Sequence, residues 1–245
     1  MEHVATPPDR RPSLHVSPDS AGLAVAAAAH LRAIAAATIA RRGRFRIALA
    51  GGSTPRAIYP HIISGVDWTR ADVFFGDERA VPPDDPQSNY RMARETLIDP
   101  AKIPAENVHR WRAESADLDA AARGYEDALR ARGEPPWLDL ALLGLGPDGH
   151  TASLFPGTTA LAVDDRLAVA NDVPALKTRR LTLTYPALLA AGEVMFLVTG
   201  HEKRAALADV LRPESKLPAA RIIHGAAPVW IFCDAEAAQD INPPR

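Results

Sequence analysis

Residues 138–155, Leu-Asp-Leu-Ala-Leu-Leu-Gly-Leu-Gly-Pro-Asp-Gly-His-Thr-Ala-Ser-Leu-Phe, decide how this chain is read. Residues 138–143 are a mostly apolar run, about as long as a buried strand. Gly144, Gly146, Pro147, Asp148 and Gly149 then make the chain stop and turn. His150 leaves that turn, and Thr151 to Phe155 reads as a short helical turn ended by Pro156-Gly157. In open parallel sheets ligands sit beyond the carboxyl ends of the strands, so chemistry is expected at a titratable side chain there. Taken alone, the stretch fits equally well an Asp-Gly turn with a hydrogen-bonded structural histidine.

The same layout recurs on either side. Arg44 to Ala50 is an apolar strand that runs into Gly51-Gly52-Ser53-Thr54-Pro55 and then a helix. Exposed N–H groups, hydroxyls and the positive end of a helix dipole make that turn ready for phosphate. It is neither a Walker loop nor a dinucleotide fingerprint. Asp72 to Phe75 is a strand ending in Gly76-Asp77-Glu78-Arg79, which by itself reads as a solvated charge cluster. Glu193 to Thr199 is a buried strand ending in Gly200-His201-Glu202-Lys203, followed by a helix from Arg204 to Leu211. Lys203 stands in a first turn, where the dipole disfavours a cation unless an anion meets it.

Between these strands lie further elements. Residues 13–17 read as a short strand, with Ser17 as a cap and Pro18 opening an alanine-rich helix to about Ala40. Leu23, Ala27, His30, Ile34 and Ala37 share one face of it, which makes His30 a core or boundary histidine. Helices are expected from Ser88 to about Ile98, over 115–132, and after Pro186. Short strands are expected at 107–111, 166–170, 179–186 and 228–233, with a loop over 171–178. Alternating strands and helices imply an α/β fold: an open, mostly parallel Rossmann-like sheet with helices on both faces. A single domain over 12–245 is expected, with loose ends at 1–11 and 242–245. In such a sheet the four polar loops share one edge. That edge describes a small phosphorylated substrate with an acid/base group some way from its phosphate.

Bulk properties narrow the class. The 245 residues are 47% apolar and 24% charged, ordinary for a soluble globular protein. A net charge of −2 argues against nucleic-acid or anionic-membrane partners. The one cysteine, Cys233, lies in an apolar run, so neither a disulfide framework nor a thiolate zinc site is expected. No run of 18 apolar residues free of charge is found, and residues 1–11 do not resemble a secretory signal. A cytoplasmic compartment follows as the default expectation.

Several stretches together resemble the 6-phosphogluconolactonase family, within the wider group that includes glucosamine-6-phosphate deaminase. They are Leu49-Ala-Gly-Gly-Ser-Thr-Pro, Phe75-Gly-Asp-Glu-Arg, Ser88-Asn-Tyr, Leu143 to Pro156, Arg180-Leu-Thr-Leu-Thr and Gly200-His-Glu-Lys203. They stand in the family's order and span about residues 12–235. Deaminases look like Asp-Glu-Tyr where this chain has Asp77-Glu78-Arg79. They resemble Ile-Ala-Phe-Asn-Glu-Pro where this chain has Thr151-Ala-Ser-Leu-Phe-Pro156, so the glutamate that assists ring opening is absent.

The resemblance implies hydrolysis of 6-phospho-D-glucono-1,5-lactone to 6-phosphogluconate, the second step of the oxidative pentose phosphate pathway. It implies no metal or organic cofactor, and a small phosphorylated sugar lactone as the only partner beyond a monomer or small homo-oligomer. His150 is the expected general base, since an imidazole titrates near neutral pH. Asp148 or Asp77 is expected to orient it; the residues leave both open. Gly52, Ser53, Thr54, Arg79, Arg180 and Lys203 are the phosphate candidates, with Arg179 an alternative to Arg180, and Asn89 is the candidate for sugar hydroxyls. Loop N–H groups near Gly51-Gly52 or Gly149 are the candidate oxyanion donors. No Gly-x-Ser-x-Gly elbow occurs, which argues against a serine esterase. The alternatives are a sugar-phosphate isomerase or deaminase on the same scaffold, and a non-catalytic sugar-phosphate sensor.

Overall fold

A computed structural model describes residues 11–241; of the loose ends expected at 1–11 and 242–245, all but residue 11 lie outside the described residues. Nine strands form two sheets. The larger is all parallel, built from β1 (Ser13–Ser17), β2 (Phe45–Leu49), β3 (Ala71–Phe75), β5 (Leu140–Leu143), β8 (Glu193–Val198) and β9 (Val229–Asp234), in the order β1-β9-β8-β5-β2-β3. The smaller is antiparallel, β4 (Asp77–Arg79), β7 (Thr178–Leu183) and β6 (Ala168–Val173), in the order β4-β7-β6. The α/β class is therefore as expected, with the helices α1 (Ser20–Arg42), α2 (Ser53–Ile58), α3 (Asn89–Ala93), α4 (Leu118–Arg130), α5 (Tyr185–Leu189), α6 (Arg204–Val210) and α7 (Pro218–Ile223) between strands.

The order of the large sheet positions the site. From β2 the chain steps outward to β3, and then returns to place β5 on the other side of β2. The loops after β2 and β5 therefore diverge at a topological switch point, where open α/β sheets leave a crevice. The central strand β5 reads as an unbroken apolar run because both its faces are covered, and every one of its residues is buried.

Several expectations change. The long helix is capped by Asp19, whose side chain accepts from the Gly22 N–H at 2.7 Å, not by Ser17. That helix, α1, is long and apolar enough by length and composition to cross a membrane, which the sequence reading had not credited to any stretch. Here Leu23, Ala27, Leu31 and Ile34 on its buried face belong to the core. Residues 107–111 form only a single bridge, Val108 to Val73, after a short 3-10 turn. The supposed loop over 171–178 is mostly hairpin, since β6 runs on to Val173 and β7 starts at Thr178.

Thr151 to Phe155 is not helical. It is a tight turn closed by a Thr151–Leu154 bridge, with Ala152 at φ 48°. Tertiary hydrogen bonds replace helical ones there. The Ser153 N–H donates to Thr182 Oγ1 at 3.1 Å, and Asn171 Nδ2 donates to the Ser153 carbonyl at 2.9 Å.

Candidate active site

The carboxyl ends of β2, β3, β5 and β8 open on one cavity of about 620 Å³. Gly52, Ser53, Thr54, Asp77, Arg79, Asn89, Asp148, His150, Arg180 and Lys203 all line it. The sequence therefore named side chains that the fold brings together, although 151 residues separate Gly52 from Lys203.

The turn after β5 carries the titratable pair. Gly149 adopts φ 77°, and the Gly146 N–H donates to the His150 carbonyl at 2.8 Å, folding the loop back on itself. Within it His150 Nδ1 stands 2.5 Å from Asp148 Oδ1. Burial raises the Asp148 carboxyl's pKa, but the hydrogen bond and charge of His150 outweigh it and hold the group below its ordinary value. With Asp148 accepting, Nδ1 carries the proton and Nε2 presents its lone pair. Phe155 stacks on the imidazole, with ring centroids 4.0 Å apart. Of the two carboxylates left open by sequence, Asp148 is the one bonded to His150.

Asp77 is held elsewhere. Its Oδ2 accepts from Ser153 Oγ at 2.6 Å and its Oδ1 from Asn89 Nδ2 at 3.1 Å. Asn89 reaches it past Gly51, where a Cβ would lie 1.8 Å from Asn89 Oδ1. The charge cluster at 77–79 is not a solvated patch. Glu78 is 2% exposed and accepts from the Asn89 and Tyr90 N–H groups and from Ser88 Oγ. It thereby ties the start of α3 to β4; burial raises its pKa against those hydrogen bonds.

Three cations also line the cavity, Arg79, Arg180 and Lys203. Arg79 and Arg180 are directly paired across β4 and β7. Like charges in that relation are destabilising unless an anion joins them. Burial first, then the nearby Arg79 charge, lowers the Arg180 pKa, and its buried Nε has no hydrogen-bond partner. Arg179 points the other way, pairing with Asp172 at 2.9 Å, as strand alternation requires. The cavity face is therefore Arg180's. Lys203 ends a short 3-10 turn, His201–Lys203, rather than lying inside α6, and its ammonium approaches Glu202 only at 4.0 Å.

Thr54 Oγ1 lies 2.6 Å from Thr199 Oγ1. One hydroxyl donates to the other, so the second keeps a proton for a ligand. Thr199, Ser153, Phe155 and Gly146 were not singled out by the sequence reading. Ser153 and Phe155 lay inside a quoted motif, whereas their roles depend on contacts across the fold. Among the described residues no cluster of three or more His, Cys, Asp or Glu side chains is arranged to hold a metal ion.

Comparisons with known proteins agree on the fold. Residues 18–230 match the family described as glucosamine-6-phosphate isomerases/6-phosphogluconolactonase. A 6-phosphogluconolactonase from Nostoc sp. is 42% identical over 212 residues, covering 83% of this chain and 88% of the relative. One from Mycobacterium tuberculosis is 37% identical over 240 residues, covering 92% and 97%. The solved structure of 6-phosphogluconolactonase from Trypanosoma cruzi superposes with a TM-score of 0.84 at 28% identity, covering 96% of this chain and 98% of that one.

Proposed function

The chain belongs to the glucosamine-6-phosphate isomerase/6-phosphogluconolactonase family, and from that membership we propose how its cavity works. The enzyme is a 6-phosphogluconolactonase, a carboxylic ester hydrolase acting on a lactone. Its substrate is 6-phospho-D-glucono-1,5-lactone and its product 6-phosphogluconate, in the second step of the oxidative pentose phosphate pathway.

The observation that carries this reading is the His150–Asp148 pair sharing one cavity with the cross-strand Arg79–Arg180 pair. Nε2 of His150 takes a proton from water as the water oxygen bonds to the lactone carbonyl carbon. The imidazolium so formed is stabilised by Asp148. It then returns the proton to the ring oxygen as the carbon–oxygen ester bond breaks, leaving a free hydroxyl and a carboxylic acid, which gives up the second water-derived proton to solvent and ends as the carboxylate. Arg79, Arg180 and Lys203, with Ser53, Thr54 and the Gly52 N–H, hold the phosphate; the Asp77 carboxylate and Asn89 Oδ1 accept from sugar hydroxyls, since both N–H groups of Asn89 are engaged by Asp77. The reading needs no metal or organic cofactor. It treats the protein as a cytoplasmic monomer or small homo-oligomer without nucleic-acid or membrane partners.

Lactone hydrolysis is measured on substrate generated in situ, as 6-phosphogluconate formed above an enzyme-free blank. His150→Ala is expected to lower kcat by about 10²–10⁴, the worth of a positioned acid/base, with little change in KM. Near-normal turnover removes His150 from the mechanism. A wild-type rate equal to blank, with ammonia released from glucosamine 6-phosphate, would replace the lactonase by the deaminase.

A further inference from the structure

We propose that Leu176 contacts substrate, forming an apolar cover over the carbon skeleton of the bound sugar phosphate. This rests on the phosphorylated-sugar reading of the cavity. Among the described residues the exposed large apolar side chains are Leu14, Val16, Val25 and Leu176. The first three belong to β1 and α1. Leu176, 52% exposed, is the one that lines the cavity.

It stands on the turn Pro174–Leu176 between β6 and β7, and the next residue, Lys177, turns the chain back at φ 48°. That left-handed conformation is sparsely populated for a residue with a Cβ. The base of this hairpin is anchored: Val173 is buried, and Asn171 donates to the Ser153 carbonyl and to Thr158 Oγ1. From the tip, β7 leads directly to Arg180, so one hairpin carries both a phosphate contact and the leucine. In the free protein about half of the leucine's surface stays in water and gains nothing from hydrophobic burial. A ligand lying across the cavity removes its apolar area from water. The carbon skeleton of a sugar phosphate, as closed lactone or open-chain acid, suits this wall because it carries C–H groups as well as hydroxyls, and Asp77 and Asn89 serve only the hydroxyls.

The test compares wild type with Leu176→Ser and Leu176→Met by calorimetric titration with 6-phosphogluconate and with inorganic phosphate, alongside thermal unfolding. Leu176→Ser is expected to weaken 6-phosphogluconate binding by about three- to tenfold, as loss of half a leucine's burial implies. Phosphate affinity and Tm should stay at wild-type values, and Leu176→Met should bind like wild type. In the lactonase assay the serine variant should raise KM by a similar factor and leave kcat nearly unchanged. Equal 6-phosphogluconate affinity in wild type and Leu176→Ser overturns the proposal. So does an equal loss of phosphate affinity, which would make the turn part of the phosphate pocket, or a wild type that does not bind 6-phosphogluconate. If wild type binds 6-phosphogluconate but does not hydrolyse the lactone, the lactonase reading fails while the affinity comparison still decides the role of Leu176.

Discussion

Gly146 shows how closely the His150–Asp148 pair is built. A Cβ at this position would lie 2.0 Å from His150 Nδ1 and 2.7 Å from Asp148 Oδ1. No real contact is that short, so Gly146→Ala must push the imidazole off its carboxylate. Turnover is expected to fall by about 10² or more, approaching the loss of the base itself. Inorganic phosphate, which the proposed mechanism assigns to Arg79, Arg180 and Lys203, should bind as before. Steady-state kinetics with a phosphate titration check this, and unchanged kcat would mean that the pair tolerates displacement. Asp148 and His150 were legible from sequence because their residue types announce acid/base chemistry. Gly146 was legible only as a turn residue, since what forbids a side chain there is the imidazole folding back over it. The same holds for Gly51 beneath Asn89. Ser153 could not be assigned either, because its partner Asp77 lies 76 positions away.

At the scale of elements, the small sheet turns a strand pairing into an anion site. Gly76 leaves β3, receives the Leu183 N–H on its carbonyl at 2.9 Å, and delivers β4 beside β7. The register that follows sets Arg79 opposite Arg180. Such a pair costs stability in the empty protein, both by repulsion and through the unpartnered Nε of Arg180. Arg180→Met should therefore raise Tm while weakening the substrate. About 2–4 °C is expected for each kcal/mol recovered in a chain of this size, and KM should rise about tenfold or more from the loss of a charge-assisted contact. Calorimetric Tm and lactonase KM are the paired readouts. A lower Tm would show that the arginine stem packs more than its charge repels. The alternation over 179–186 was enough to read a strand, but not which sheet it joins. Antiparallel pairing with three residues of β4 leaves no trace in hydrophobic pattern, because β4 itself is Asp-Glu-Arg. Thr151 to Phe155 was misread for a related reason: its turn is held by Thr182 and Asn171, which belong to other strands.

Across the whole molecule, the two ends of the parallel sheet divide their work. The sequence made a mostly parallel sheet and the shared loop edge legible, because apolar runs and glycine turns are local signals. It was silent on the opposite, amino-terminal edge, where charges are buried. There Asp72, 3% exposed, is met by Arg44 Nε at 2.9 Å, His109 Nε2 at 3.2 Å and Arg132 Nε at 3.2 Å. Asp139 is pinned likewise by Arg42 at 2.9 Å. Burial raises the pKa of the Asp72 carboxyl, but its hydrogen bonds to His109 and Arg44 and the charges of Arg44 and Arg132 overcome that and hold it well below the usual range. A carboxyl with a depressed folded pKa stabilises fully above its unfolded value, near pH 4, and loses that stabilisation as pH falls toward the folded value. Asp72→Asn keeps the shape and removes the charge. Because the arginines are partly exposed and can turn to water, its cost at pH 7 should be about 2–4 kcal/mol, at or below the range for breaking a buried pair. Urea midpoints of wild type and variant, compared from pH 7 down to pH 3, should differ most at pH 7 and converge steadily below about pH 4. A gap independent of pH would assign the effect to packing. The lactonase kcat at pH 7 should be unaltered, since Asp72 stands at the end of β3 away from the cavity.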